Sequence, residues 1–174
     1  MKWNAILLAA VMAVPAVLLA AQGVTIRTSE VNGRLVDDIN LPFVDDPAVI
    51  GEWRSVDFVK EPGDFTPGTK RFQGDLYLGG FNFYRGGAMG VVPFSPASAP
   101  WFRWTRGVVT HSGDKTASRY FIKEIGGQTY MFFEWKSGDY VFGHRRPEYY
   151  VLRKTGPGTG RGAKAPSPGR AAAE

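Results

Sequence analysis

Asp46-Pro47-Ala48-Val49-Ile50-Gly51-Glu52-Trp53 is the stretch from which the fold can be read. Asp46 can accept a free backbone N–H at the start of a one-turn helix, and Pro47 suits the first helical position, where an N–H would have no partner. Gly51 lets the chain turn sharply into a strand. The pattern predicts a short helix that turns at once into a strand carrying Trp53.

Downstream, Gly51 to Lys154 consists of short β-rich runs separated by Gly, Pro, Ser and Asp clusters, the spacing of an all-β barrel or sandwich. The expected strands are Glu52–Lys60, Lys70–Leu78, Phe81–Arg85, Phe102–Thr110, Ser118–Ile125, Thr129–Trp135, Tyr140–Gly143 and Tyr149–Lys154. Eight short strands suffice to close one antiparallel barrel. The sharpest local feature is Gly126-Gly127, which supplies both positive-φ positions of a two-residue hairpin turn. Pairing Ile125 with Gln128 then sets Ile122 against Met131 and Tyr120 against Phe133 on an inward face. Phe121 with Phe132 and Arg119 with Glu134 fall on the opposite, outward face.

The chain has 174 residues, enough for one domain with appendages, and no cysteine, which removes disulfides, thiolate metal sites and a cysteine nucleophile. Residues 1–21 have the layout of a secretory signal, with Lys2, an Ala/Leu/Val run and Ala20-Ala21 before Gln22. Export to the periplasm or medium is expected; the alternative is an uncleaved N-terminal membrane anchor. Residues 22–42 form a leader with a turn dipeptide at Asn32-Gly33, residues 43–154 the barrel, and residues 155–174 a Gly/Pro/Ala/Arg tail with nothing to bury. The formal charge of +5 is uneven: Gln22 to Ile50 holds two basic against five acidic residues, and Gly51 to Lys154 fifteen against ten. A basic barrel could attract anions, although solubility alone also explains it.

Trp53, the Asp46-Pro47 turn and the basic end of the last strand, Arg153-Lys154, resemble the lipocalin/calycin pattern. That resemblance implies that an Arg or Lys of the last strand packs over the Gly-x-Trp indole, and it gives Gly51, Trp53 and Arg153 structural roles at the barrel floor. Further blocks are Ile50 to Val59, Trp104 to Gly107, Gly113 to Ser118, Glu134 to Tyr140 and Tyr149 to Leu152. In this order they are similar to a small bacterial domain found as the C-terminal extension of certain antibiotic-sensing metalloprotease regulators and as stand-alone secreted proteins. The similarity runs from about Pro42 to Lys154 and implies fold rather than activity. The chain lacks the His-Glu-x-x-His zinc-protease motif and has a single hydrophobic segment, so neither a protease nor a multi-span sensor is implied.

Residue types for chemistry are sparse. The only histidines, His111 and His144, stand outside any spaced ligand motif, so neither metal nor cofactor is expected. His111-Ser112-Gly113-Asp114-Lys115 and Lys136-Ser137-Gly138-Asp139 have the composition of turns. Arg119 opposite Glu134 is the most plausible polar pair, either an outer ion pair or a grip for a ligand carboxylate. Arg103 and Arg106 among Trp101, Phe102 and Trp104 could stack bases, but export argues against nucleic acid.

Gly51 to Lys154 contains 22 aromatic residues, more than a small barrel needs to fill its interior. Tyr77, Phe83, Trp104, Tyr120, Met131, Phe133 and Tyr150 are the candidates for lining a cavity, with plain core packing as the alternative for each. The function expected is extracytoplasmic binding of a small apolar or amphipathic molecule, in envelope or antibiotic stress sensing. The alternative is a non-catalytic structural or interaction module with a solid barrel and an envelope protein as partner.

Overall fold

The structure is a computed structural model that describes residues 24–93 and 101–157. The expected signal, most of the expected tail and residues 94–100 lie outside the described residues. The fold is all-β. Two leader strands, β1 (Thr28–Val31) and β2 (Arg34–Asp37), form a hairpin about Asn32-Gly33. The main sheet comprises β3 (Gly51–Val59), β4 (Gly80–Phe83), β5 (Met89–Val92), β6 (Phe102–Thr105), β7 (Val108–His111), β8 (Thr116–Ile125), β9 (Gln128–Trp135) and β10 (Glu148–Gly156). They follow the order β5-β4-β3-β10-β9-β8-β7-β6, every pair antiparallel.

The sheet curls until its two edges nearly meet. An isolated bridge joins Ala88 to Arg103, and the Trp104 indole N–H donates to the Tyr84 and Ala88 carbonyls, both at 2.9 Å. Edge groups that a flat sheet would leave unpaired are partly satisfied across this seam. Residues 42–45, where the leader joins the barrel, strap the same region: the Val44 N–H donates to the Thr105 hydroxyl, which donates to the Pro42 carbonyl, and the Arg106 N–H donates to the Val44 carbonyl.

The floor forms much as its sequence indicates. Gly51 has φ 132°, a conformation that suits glycine, and Trp53 is fully buried with its indole N–H donating to the Val49 carbonyl at 2.7 Å. Asp46 does accept the Ala48 N–H, but residues 47–49 close a single hydrogen-bonded turn rather than the expected short helix, because Gly51 sends the chain into β3 at once. The cation over the indole is Lys154, 5.3 Å from the ring and donating to the Ala48 carbonyl at 2.8 Å. Arg153, the expected floor residue, is exposed; adjacent strand positions face opposite ways, and Lys154 holds the inward one.

The β8–β9 hairpin has the expected register, with Ile125 opposite Gln128 and Tyr120 opposite Phe133, and Gly126 and Gly127 both at positive φ. Elsewhere the count of eight arises from different strands. Lys70–Leu78 is not a strand: the Arg71 and Phe72 N–H groups donate to the buried Asp57 carboxylate instead of a ladder. Tyr140–Gly143 falls in and beside a one-turn helix, α1 (Gly138–Val141), begun at Ser137. Phe102–Thr110 is two strands, broken by Gly107 at φ 74°. Met89–Val92, which falls outside every expected strand, is β5.

The outward face of β8–β9 is also dry in part. Phe132 and Tyr130 lie buried with Val59 and Val151 beneath Phe65, whose ring is 4.9 Å from that of Tyr130. The wall is therefore packed on both sides here. Trp53→Ala should cost about 3–5 kcal/mol in a urea titration, as for other fully buried large aromatics, and Lys154→Ala should cost more than Arg153→Ala.

Candidate functional site

The barrel interior is solid near the floor and hollow at the opposite end. Phe81, Phe83, Trp104, Tyr120, Met131 and Leu152 pack with Trp53 in one buried cluster. Phe83 has ring centroids 6.0 Å from both Trp104 and Tyr120, and Phe81 lies 4.9 Å from Phe133. Of the sequence candidates, Phe83, Trp104, Tyr120 and Met131 belong to this plug and do not line the cup above it; Trp104 borders a separate, smaller space of about 220 Å³ with Phe43 and Arg103. Two of them also hold the frame together, since Trp104 laces the seam and the Tyr120 hydroxyl donates to the Asp46 carboxylate at 3.1 Å. Burial, helped by Asp46, pushes the Tyr120 phenol well above its ordinary pKa.

Above the plug is a cup of about 560 Å³. Phe133 and Val109 form its base, with Trp101, Phe102, Trp135 and Tyr77 as an aromatic wall. Tyr77, expected on an inward strand position, instead sits on the irregular segment before β4; it is 63 % exposed at the rim, 6.0 Å from Trp135. Tyr150 is buried and lines a neighbouring cavity rather than the cup; its hydroxyl accepts the Leu78 N–H at 3.3 Å. Arg119 points away from the cup, with Nη1 3.9 Å from Glu134, which also accepts the Arg119 N–H at 3.0 Å. It is an outer ion pair of small energetic weight, so a carboxylate grip at this position has no cavity to serve.

The polar side of the cup escaped the sequence reasoning. Thr116 and Ser118 alternate with Tyr120 along β8 and face inward; Ser118 is only 4 % exposed, and its hydroxyl has no hydrogen-bond partner among the described residues. His111 stacks on Phe102 at 4.3 Å and holds Asp114 through Nδ1 at 3.1 Å, so the two residues read as a turn meet at the rim.

Lys136 also borders the cup, but its ammonium is engaged. Nζ lies 3.0 Å from the Asp37 carboxylate and donates to the Ala117 carbonyl at 2.9 Å, with both side chains almost wholly buried. Asp37 further accepts the Ala117 N–H at 2.9 Å and the hydroxyls of Thr28 at 2.6 Å and Tyr140 at 3.2 Å. The leader is thus pinned to the mouth of the barrel. An alternating pattern cannot announce such a pair, because its partners are 99 residues apart and each alone resembles a surface charge.

Among the described residues, no group of three or more His, Asp or Glu could hold a metal ion. Comparison with protein families, with curated proteins and with solved structures finds no match to this chain. The class defined by the structure is therefore one of fold alone: an eight-stranded, antiparallel, nearly closed barrel with a cup at one end, compatible with a lipocalin-like architecture.

Burial by itself would raise the Asp37 carboxyl pKa, but the Ala117 N–H, the Thr28 hydroxyl and Lys136 outweigh it and hold the group below its ordinary 3.8. A carboxyl with a depressed folded-state pKa stabilises the fold above its unfolded value, and that stability disappears as pH falls through the folded one. Asp37→Asn should therefore flatten the acid limb of the stability curve below about pH 4, measured by denaturant melts. Lys136→Met strands a buried carboxylate and should cost about 3–5 kcal/mol, or less if the leader undocks, which faster amide exchange at Leu35–Asp37 would report.

Proposed function

We propose that this chain is an exported, lipocalin-like, non-catalytic binder of a small apolar or amphipathic molecule held in the cup, with a role in envelope or antibiotic stress sensing. The observation that carries the proposal is the cup: about 560 Å³, walled by aromatic side chains and set over a solid plug that closes its base. Ligand sites of this size and character are concave, mostly apolar and furnished with a few convergent polar groups. Ser118 is such a group, buried and without a protein partner among the described residues. The order of the motif blocks, the Trp53–Lys154 floor and the barrel topology support the lipocalin-like assignment. The secretory layout of residues 1–21 supports an extracytoplasmic location.

An anionic ligand, which the basic balance of the barrel suggested, finds little in the cup to meet it. Lys136 is neutralised by Asp37, His111 is held by Asp114, and Arg119 faces outward. The plug favours the second proposal, an interaction module, for the floor half of the barrel only.

A lipophilic fluorescent dye should bind with a Kd of about 1 μM or tighter, and a hundredfold excess of dye over its Kd should add about 2.7 kcal/mol of stability. Ser118→Trp, which places an indole in the cup, should abolish dye binding while the domain still unfolds cooperatively. Met131→Trp should instead destabilise the protein by about 1–3 kcal/mol, since Met131 lies in the filled layer. Absence of dye binding by the wild-type protein would refute the binding proposal and favour the interaction module.

A further inference from the structure

A second cavity, about 360 Å³, adjoins the cup and shares Tyr77, Trp135 and Ser137 with it. The two spaces share a wall at Tyr77, Trp135 and Ser137, and a ligand reaching from the cup into the annexe would take its path past Trp135. Aromatic rings continue along this path. Trp135 is 5.1 Å from Tyr150, Tyr150 is 4.7 Å from Phe58, and Phe58 is 5.7 Å from Phe72, centroid to centroid. Tyr140 lines the same space.

The charges of the annexe run against those of the barrel as a whole. Its two arginines are both occupied: Arg145 lies 3.5 Å from Asp139, and Arg146 lies 3.1 Å from Glu61. Asp75 and Glu148 also line it, and neither side chain has a hydrogen-bond or ion-pair partner among the described residues. Two carboxylates are thus left over in a cavity walled by π faces. Carboxylates with aromatic faces suit an organic ammonium, which the rings attract through their quadrupoles and the carboxylates through their charge. Ser118, 4 % exposed on the cup wall and with no hydroxyl partner among the described residues, offers a polar contact to the part of a ligand that fills the cup.

We infer that the annexe is a subsite for an organic ammonium group, and that the ligand is a cationic amphiphile whose apolar body fills the cup while its ammonium head lies between Trp135, Asp75 and Glu148. This inference rests on the cup being a binding site and adds the charge of the ligand to it. A free small molecule and a lysine side chain of a partner protein share this chemistry, and the choice of probes separates them.

The test is calorimetric titration of the full chain with decyltrimethylammonium, decanol and decyl sulfate below their micellar concentrations, and with a lysine-rich peptide lacking an alkyl chain. The expected result is binding of the ammonium about tenfold tighter than the alcohol, with the sulfate weakest and the peptide not bound. In the double variant Asp75→Asn/Glu148→Gln the ammonium and the alcohol should bind alike, with decanol affinity unchanged. Both positions carry side chains without partners among the described residues, so the fold should persist, which the decanol titration itself verifies. An ammonium advantage that survives the double variant, or a sulfate that binds as well as the ammonium, overturns the inference while leaving the cup intact. Binding of the peptide overturns the small-molecule form of the proposal, and failure of every alkyl probe overturns the cup itself.

Discussion

An eight-stranded sheet has two edges, and their backbone groups must find partners or water. In this protein one indole does much to settle where they go. Trp104 reaches across the seam from β6 to two carbonyls of the β4–β5 connection, and Phe83 from β4 packs against it from within, so closure of the sheet and filling of its interior are one event. The strap at residues 42–45, held by Thr105 next in the chain, depends on the same edge. With the seam drawn together, the plug is enclosed and only the far end stays open. The cup is therefore a by-product of how far the large side chains extend up the barrel.

That division gives the aromatic surplus two destinations. Near the floor, aromatics replace what would otherwise be cavity, and their polar tips find fixed partners, as Tyr120 does in Asp46. Toward the mouth, Trp101, Phe102 and Trp135 have no facing layer and become walls. The outer cluster beneath Phe65 takes others, held down by a segment that Asp57 fastens through backbone N–H groups. High aromatic content thus measures total buried surface and does not by itself give the size of a ligand cavity.

The legible parts of the sequence were those with local causes. Gly126-Gly127 sets a register without help from distant residues, and the alternation of β8 and β9 then assigns their faces. Trp53 could be placed because its turn and its strand are contiguous. The failures share the opposite property. Lys70–Leu78 has strand-like composition, but a carboxylate on another strand captured its amides, whereas the glycine-rich Met89–Val92 is a strand because β4 lies beside it. The one-residue difference between Arg153 and Lys154 depends on strand phase, itself shifted by irregular register between Val151 and Leu152 and between Lys154 and Gly156. The Asp37–Lys136 pair and the annexe are assembled from segments far apart in the chain, and no window of sequence contains them.

The position of β10 bears on the order in which the molecule can assemble. It is the last described strand in the chain yet lies in the middle of the sheet, between β3 and β9, and the Lys154 contact that completes the floor spans 106 residues. Closing so long a loop costs conformational entropy before any contact offsets it, the condition under which β-rich chains fold slowly. During synthesis, β3 and β9 emerge with the edges meant for β10 unpaired, each a template for another chain. A truncation that removes β10 would therefore divide the sheet at its centre rather than trim its margin.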